Sequence, residues 1–155
     1  MIIFTPNTVI RSTEVNSNFN EIDGRIDNLE NPIYAYGNVA SGTGSGVRNL
    51  NISSYSGVQF NNNNTIKILT KGIYFIHAQQ LVENNGAGAL YWALLASGTM
   101  IRYGYINTSV FTDAIVSEMK EFDVNMELQI YYSKSVANSW EGQHSAFQLF
   151  CIKRT

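Results

Sequence analysis

The spacing of apolar residues changes once along this chain of 155 residues, at Pro32. Before that proline, apolar residues follow one another at intervals of 4, 3, 4 and 3, namely Val15, Phe19, Ile22, Ile26 and Leu29. After it, they occur in short runs separated by clusters rich in Asn, Ser and Gly. The first pattern is typical of a coiled-coil helix and the second of β-strands. The chain therefore divides into an N-terminal segment (1–12), a helical stem (13–32) and a β head (33–155).

The helical stem needs a partner surface, because isolated helices of this length are marginally stable in water. Its apolar stripe could lie on the head of its own chain, as amphipathic helices commonly do. Alternatively, it could pack against the stems of other copies. The stripe is narrow, and Asn, Asp and Glu residues flank it on both sides. These features favour a coiled coil formed by self-association.

Composition supports the β interpretation of the head. Charged residues make up 14% of the chain, whereas about 25% is usual in soluble domains. The chain has 9 Tyr and 8 Phe but only 2 Pro, and it is rich in Asn. Aromatic residues favour strands, and Asn favours tight turns. About ten short segments of strand-like sequence follow Pro32, and they predict an all-β antiparallel sandwich.

Charge and hydropathy exclude two classes of partner. The net charge is −2 and there is no basic block, so we expect no binding to nucleic acid, which requires clustered Lys and Arg. The longest apolar run, residues 89–96, is too short to cross a bilayer, so we expect no membrane insertion. The first residues lack the features of a signal peptide, which favours a protein made in a cytoplasm.

Few residues suggest catalysis. His77 and His144 are the only histidines, and neither has Cys or His neighbours at the spacing of metal ligands. A hydrolase would need two carboxylates in one cleft, for which Glu118 with Glu121, or Glu121 with Asp123, are the available pairs. Charged residues that flank a hairpin turn explain these three acids better. We therefore expect no enzymatic activity, no catalytic residues, no metal and no cofactor.

Aromatic residues suggest an alternative function in carbohydrate or receptor binding. A stacking surface could form from Tyr103, Tyr105, Tyr131, Tyr132 and Trp140. Aromatic side chains of a sandwich more often lie in the core or in a subunit interface. Trp140 is the exception, because it falls within a polar segment, residues 133–145, that we expect to be a loop. We therefore single it out as the candidate surface contact.

The strand pattern of residues 33–155 has counterparts in a known superfamily. Residues 57–60 and 66–70 precede Lys-Gly-Ile-Tyr-Phe-Ile-His-Ala at 71–78, and residues 90–106 form a hairpin around Ser97 and Gly98. Residues 145–150, Ser-Ala-Phe-Gln-Leu-Phe, follow a further strand. This pattern resembles the complement globular-head and tumour-necrosis-factor-like superfamily, with its typical G-x-Y-x-F and S-x-F-x-G-x-L segments. In this chain Gln148 and Leu149 stand where the S-x-F-x-G-x-L segment has its glycine.

This resemblance implies a ten-stranded jelly roll that assembles as a compact homotrimer through aromatic-rich inner strands. It also implies a trimeric stalk before the head, which is the position that the stem occupies here. Five residues are accordingly expected in the trimer interface of the head or in its core: Tyr74, Phe75, His77, Phe147 and Leu149.

A second resemblance lies at the N-terminus. Residues 7–19, Asn-Thr-Val-Ile-Arg-Ser-Thr-Glu-Val-Asn-Ser-Asn-Phe, resemble a segment near the start of phage fibre and other virion proteins, roughly N-T-x-I-x-S-x-x-V-N-x-N-F. There it precedes a short helix and a variable distal domain. The resemblance implies a bacteriophage virion protein of the head-fibre, capsid-decoration or tail-fibre type. Its N-terminus would anchor to a capsid or tail protein, and its head could attach to a host-surface glycan or receptor.

Overall fold

The computed structural model describes residues 12–40, 45–83, 90–106, 111–134 and 140–155. Within these ranges one helix, α1 (Ser12–Glu30), precedes eleven β-strands. The strands are β1 (Tyr34–Val39), β2 (Gly46–Val47), β3 (Leu50–Ser56), β4 (Val58–Asn61), β5 (Thr65–Ile68), β6 (Gly72–Glu83), β7 (Leu90–Ala96), β8 (Thr99–Ile106), β9 (Phe111–Phe122), β10 (Glu127–Lys134) and β11 (Trp140–Arg154).

The strands form two antiparallel sheets. The five-stranded sheet has the order β3-β1-β11-β6-β9. The six-stranded sheet has the order β4-β5-β10-β7-β8, with β2 beside β10. From β3 onward the chain repeatedly leaves one sheet for the other, so that neighbouring strands within a sheet are mostly distant in sequence. The predicted all-β antiparallel sandwich is confirmed.

The core lies between the two sheets and is built from alternate residues of each strand. Large aromatic side chains occupy its centre, among them Trp92, Tyr74 and Tyr132, each at most 1% exposed. The rings of Trp92 and Tyr132 meet edge to face with centroids 6.1 Å apart. The Arg48 guanidinium lies 4.4 Å from the centroid of the Tyr132 ring. This contact lets a largely buried cation coexist with an apolar core.

Two tight turns match their sequences. The β7–β8 hairpin turns at Ser97 (φ 47°) and Gly98 (φ 80°), and the β4–β5 hairpin turns at Asn62 (φ 51°) and Asn63 (φ 56°). Successive positive φ values define a type I′ turn, which suits the right-handed twist of hairpins and selects Gly and Asn. The turns predicted at these two places are therefore correct.

Two features differ from the sequence-based expectation. β3 was not predicted, because its sequence, Leu-Asn-Ile-Ser-Ser-Tyr-Ser, is mostly polar; it forms an edge strand that pairs with β1 alone. Trp140 was expected in a loop, but its backbone begins β11 and pairs with Glu83. A register shift between Glu141 and Ser145 lets β11 continue along β6 through this polar segment.

The stem helix covers the range expected for it. Its last turn carries no basic residue, and β11 supplies the cation instead: Arg154 forms an ion pair with Asp27 and donates to the Asn31 carbonyl. A cation beside the last carbonyls of a helix is favourable because of the helix dipole. Arg154 therefore holds the end of the stem against the end of β11.

Candidate oligomerisation face

The five-stranded sheet has one side in the core and one side turned outward. Tyr74, Phe147 and Leu149 point into the core and are at most 1% exposed. Phe75 and His77 alternate with Tyr74 along β6, and they are half-buried on the outward side. The five residues that the sequence grouped as trimer interface or core thus separate into three core residues and two outward ones.

Strand register aligns aromatic and apolar side chains across this outward side. The first row crosses β1, β11, β6 and β9 through Tyr34, Phe150, Phe75 and Met119. The second row crosses the same strands through Tyr36, Gln148, His77 and Ser117. Partners in register lie close together on one side of a sheet. The rows therefore form a continuous surface four strands wide.

Two contacts hold side chains of these rows in place. The rings of Tyr34 and Tyr36 are stacked, with centroids 6.0 Å apart and an interplanar angle of 17°. His77 Nδ1 and Ser117 Oγ are hydrogen-bonded at 2.8 Å. This bond satisfies one nitrogen of the imidazole within the sheet, as expected of a structural histidine at a sheet interface.

The outward side is unusually apolar for a surface in contact with water. Met119 is 62% exposed and Phe150 is 42% exposed. Ile115 on β9 and Tyr36 on β1 are exposed to a similar degree. Contiguous apolar patches of this kind mark interaction surfaces. We call these residues the apolar face: Tyr34, Tyr36, Phe75, Ile115, Met119 and Phe150.

The apolar face borders the edge where β9 meets β8 of the other sheet. Tyr103 and Met100 of β8 are exposed too, but they point outward from the six-stranded sheet. Gly104 brings the two strands together, since a Cβ at that position would lie 3.3 Å from the Ile115 carbonyl oxygen. A shallow cleft of about 260 Å³ at this edge includes Arg102 and Glu118 beside Phe75, Ser117 and Met119. One surface thus combines a sheet face with a sheet edge.

The stem presents a second exposed apolar surface. Phe19 is 60% exposed, Ile22 49%, Ile26 44% and Leu29 81%. The stripe therefore does not lie on the described part of its own head, which was one of the two alternatives left open by the sequence. The side chain of Val15, the fifth residue of the stripe, lies outside the described residues.

The two candidate carboxylate pairs of a hydrolase are arranged differently. Glu118 and Glu121 are three residues apart on β9 and point to opposite sides of the sheet. Glu121 and Asp123 both bind Lys71, whose Nζ lies 3.8 Å from Glu121 Oε1 and 3.3 Å from Asp123 Oδ1. The hydrogen bond with Asp123 and the charges of both acids raise the pKa of Lys71. Within the described residues no group of three His, Cys, Asp or Glu could hold a metal ion.

Cys151 and Tyr74 form a small polar contact at the rim of the core. Burial raises the pKa of both the Cys151 thiol and the Tyr74 hydroxyl, which disfavours the ionised form of each group. Tyr74 donates to the Thr70 carbonyl at 2.6 Å. These interactions fit the interpretation of Cys151 as a small hydrophobe.

The described aromatic residues among those proposed for ligand stacking divide between the core and the surface. Tyr132 lies in the core, whereas Tyr103 and Tyr131 point outward from the six-stranded sheet. The side chains of Tyr105 and Trp140 lie outside the described residues, so the role of Trp140 stays a prediction.

Within the described residues no helix is long and apolar enough to span a membrane.

Sequence reasoning missed most of the apolar face. It selected Phe75 and His77 through the family resemblance, but not Met119, Phe150 or the Tyr34–Tyr36 pair. One signal pointed to this side of the sheet: β6 carries large apolar residues at adjacent positions, Ile73 to Ile76, rather than at alternate ones. A strand that is apolar on both sides is typical of a sheet that is covered on both sides.

The fold is similar to that of solved tumour-necrosis-factor-like proteins. The structure of Eiger TNF from S. frugiperda matches with a TM-score of 0.65 and 8% sequence identity, over 81% of this chain and 95% of that chain. The crystal structure of murine APRIL at pH 5.0 matches with a TM-score of 0.63 and 9% identity, over 78% of this chain and 99% of that one. No protein-family model matches the sequence, and neither does any curated protein.

At these identities the likeness establishes the fold alone. The head is a tumour-necrosis-factor-like jelly roll of two antiparallel sheets, so this part of the sequence-based resemblance is confirmed. Residues 1–11, which carry much of the resemblance to phage fibre proteins, lie outside the described residues. The anchoring role of that segment stays a prediction.

Proposed function

We propose that this chain is a homotrimeric, non-enzymatic structural protein of a bacteriophage particle. Residues 1–12 anchor it to a capsid or tail protein, the stem trimerises, and the jelly-roll head projects outward to decorate the particle or to contact the host surface. The observation that carries the proposal is the pairing of two exposed apolar surfaces, the stem stripe and the apolar face, on one small chain.

Self-association accounts for both surfaces at once. Burying a large apolar side chain contributes about 1.5–3 kcal/mol, and a monomer would leave Phe19, Leu29, Met119 and Phe150 in water. The stem leads directly into the apolar face, because α1 ends at Glu30 and β1 begins at Tyr34. Copies that meet through the head therefore also bring their stems together.

The shape of the surface supports a closed ring. The apolar face and the β8–β9 edge are different parts of one molecule, so an edge that packs on the face of the next copy makes a heterologous contact. Heterologous contacts close into rings when the rotation between copies permits. A ring of three also matches the heptad spacing of the stem, whose apolar residues would line the same axis.

The virion assignment rests on the N-terminal segment. Its likeness to the start of phage fibre proteins continues into the stem as far as Phe19. The carboxylates nearest to a catalytic arrangement point apart or bind Lys71. A role in binding and architecture fits these features better than hydrolysis.

Removal of residues 1–11 tests the anchoring role. The truncated chain keeps the stem and the head, so we expect it to stay trimeric in solution. We also expect it to be absent from purified phage particles produced alongside it, whereas the full chain is present by immunoblot. Incorporation of the truncated chain at the level of the full chain would contradict the anchor, and absence of both chains would contradict the virion role.

A further inference from the structure

The side of the sandwich away from the apolar face carries a polar cleft. It has a volume of about 730 Å³ and lies where β4, β5 and β10 adjoin. Its polar lining consists of Asn61, Asn62, Asn64, Thr65, Glu127 and Gln129. Phe60 borders this cleft and also a second cleft of about 630 Å³ that includes Tyr55. We call the first of these the asparagine cleft.

The turn at the rim of the cleft explains only part of its asparagine content. Asn62 and Asn63 have positive φ values, which Asn tolerates better than most residues. The Asn63 carbonyl accepts a hydrogen bond from the Leu50 N–H, which ties the turn to β3. Asn61 and Asn64 flank the turn and have no such backbone requirement. The amide of Asn61 is therefore available to serve another purpose.

The floor of the cleft is ordered before any ligand arrives. Thr65, which is 6% exposed, donates its hydroxyl to Asn64 Oδ1 at 2.8 Å. Gln129 Nε2 donates to the same hydroxyl oxygen at 2.8 Å. This relay joins β10, β5 and the turn. A ligand that binds here loses little free energy to the ordering of these side chains.

The lining selects uncharged ligands that are rich in hydroxyl groups. Amide and hydroxyl side chains both donate and accept hydrogen bonds, as sugar hydroxyls do, and Glu127 can accept from two neighbouring hydroxyls. No Lys or Arg is among the described residues that line the cleft, which disfavours phosphate, sulfate and carboxylate groups. A single carboxylate also provides too few charged oxygens for tight binding of Ca²⁺.

We propose that the asparagine cleft binds a neutral oligosaccharide of hexose or N-acetylhexosamine units. The inference deepens the proposed attachment role, and it rests on that role only for its biological purpose. The cleft opens from the sheet opposite the apolar face, so trimerisation leaves it accessible. Three clefts on one trimer act together on a polymeric glycan, and avidity compensates for a weak single site.

The full-length protein is tested on an array of neutral, sialylated and sulfated oligosaccharides, and each neutral ligand found is titrated by calorimetry. Gln129→Leu keeps the side-chain volume similar but removes its hydrogen bonds, and Asn61→Ala removes an amide that lines the cleft. We expect each to weaken binding about tenfold, the effect of one or two lost contacts. Gln59→Leu is the control, since Gln59 is exposed on β4 outside the cleft, and it should retain full affinity.

Thermal unfolding and light scattering on each variant identify any loss of folding or assembly. The proposal is overturned if no neutral oligosaccharide binds, if binding is confined to anionic glycans, or if folded Gln129→Leu and Asn61→Ala both bind as the native chain does. The monomeric double variant Met119→Glu with Phe150→Glu separates this test from the test of trimer formation. If that monomer binds the same oligosaccharide in calorimetry, the binding site is established whatever the oligomeric state of the native chain.

Discussion

The outward sides of the two sheets differ in the chemistry that they present to solvent. On the five-stranded sheet a row of Tyr34, Phe150, Phe75 and Met119 crosses four strands. On the six-stranded sheet Asn61, Thr65 and Gln129 occupy neighbouring strands of the half that carries β4, β5 and β10. Both sides belong to the same sandwich and lie over the same core. The difference teaches that two outward sides over one core need not have the same polarity. The proposed trimer accounts for it, because partner copies would cover one side and leave the other in water.

The largest effect is expected from charges on the apolar face. The double variant Met119→Glu with Phe150→Glu would place six carboxylates in the interface of a trimer, and burying unpaired charges is costly. We expect complete conversion to monomers in light scattering. The matched control is Gln59→Glu with Lys67→Glu on the other sheet, which should leave the oligomer intact. If the two double variants have the same oligomeric state, the apolar face is not the surface through which the copies associate.

The second-largest effect is a difference in stability between substitutions on the two sides of one strand. Phe147 and Phe150 both lie on β11, but Phe147 points into the core and is 1% exposed, whereas Phe150 points outward. In a monomeric Met119→Glu background we expect Phe147→Ala to lower the free energy of unfolding by about 3–5 kcal/mol. Phe150→Ala should lower it by less than about 1 kcal/mol. Urea unfolding followed by tryptophan fluorescence measures both; similar losses would mean that the outward side is covered within the monomer.

The smallest effect concerns the stem. Ile22→Ser with Ile26→Ser removes the middle of the exposed stripe, and we expect the trimer to dissociate at about tenfold higher protein concentration. The head should keep its unfolding midpoint as a monomer, because the stripe does not pack on it. Glu21→Ser with Asp23→Ser, on the polar flanks of the helix, is the control. A large loss of head stability in the isoleucine variant would indicate that the stripe packs on the head instead.

Much of the fold could be predicted from local patterns. The stem was predictable because its 4-3 spacing has few alternative interpretations, and Pro32 fixes its end. The hairpins at Ser97–Gly98 and at the Asn61–Asn64 run were predictable because turn chemistry is local. β6 and β7 were predictable because long apolar runs between turn clusters are typical of buried strands.

The rest depends on partners that are distant in sequence. β3 is too polar to be recognised alone and exists because β1 offers it a hydrogen-bonding edge. Trp140 begins a strand because β6 is long enough to pair with the polar start of β11. The apolar face is assembled from β1, β6, β9 and β11, and the asparagine cleft from β4, β5 and β10. No local pattern reveals such alignments, because register across a sheet is set only when the sheet forms.

Sedimentation equilibrium of the full chain over a range of dilutions tests the central claim most directly. One chain has a mass of 17.3 kDa, and we expect a single species of about 52 kDa, three chains, that persists at micromolar concentration. A well-folded species of 17.3 kDa at every concentration would show that the stem stripe and the apolar face stay in water without a partner, and it would contradict the account.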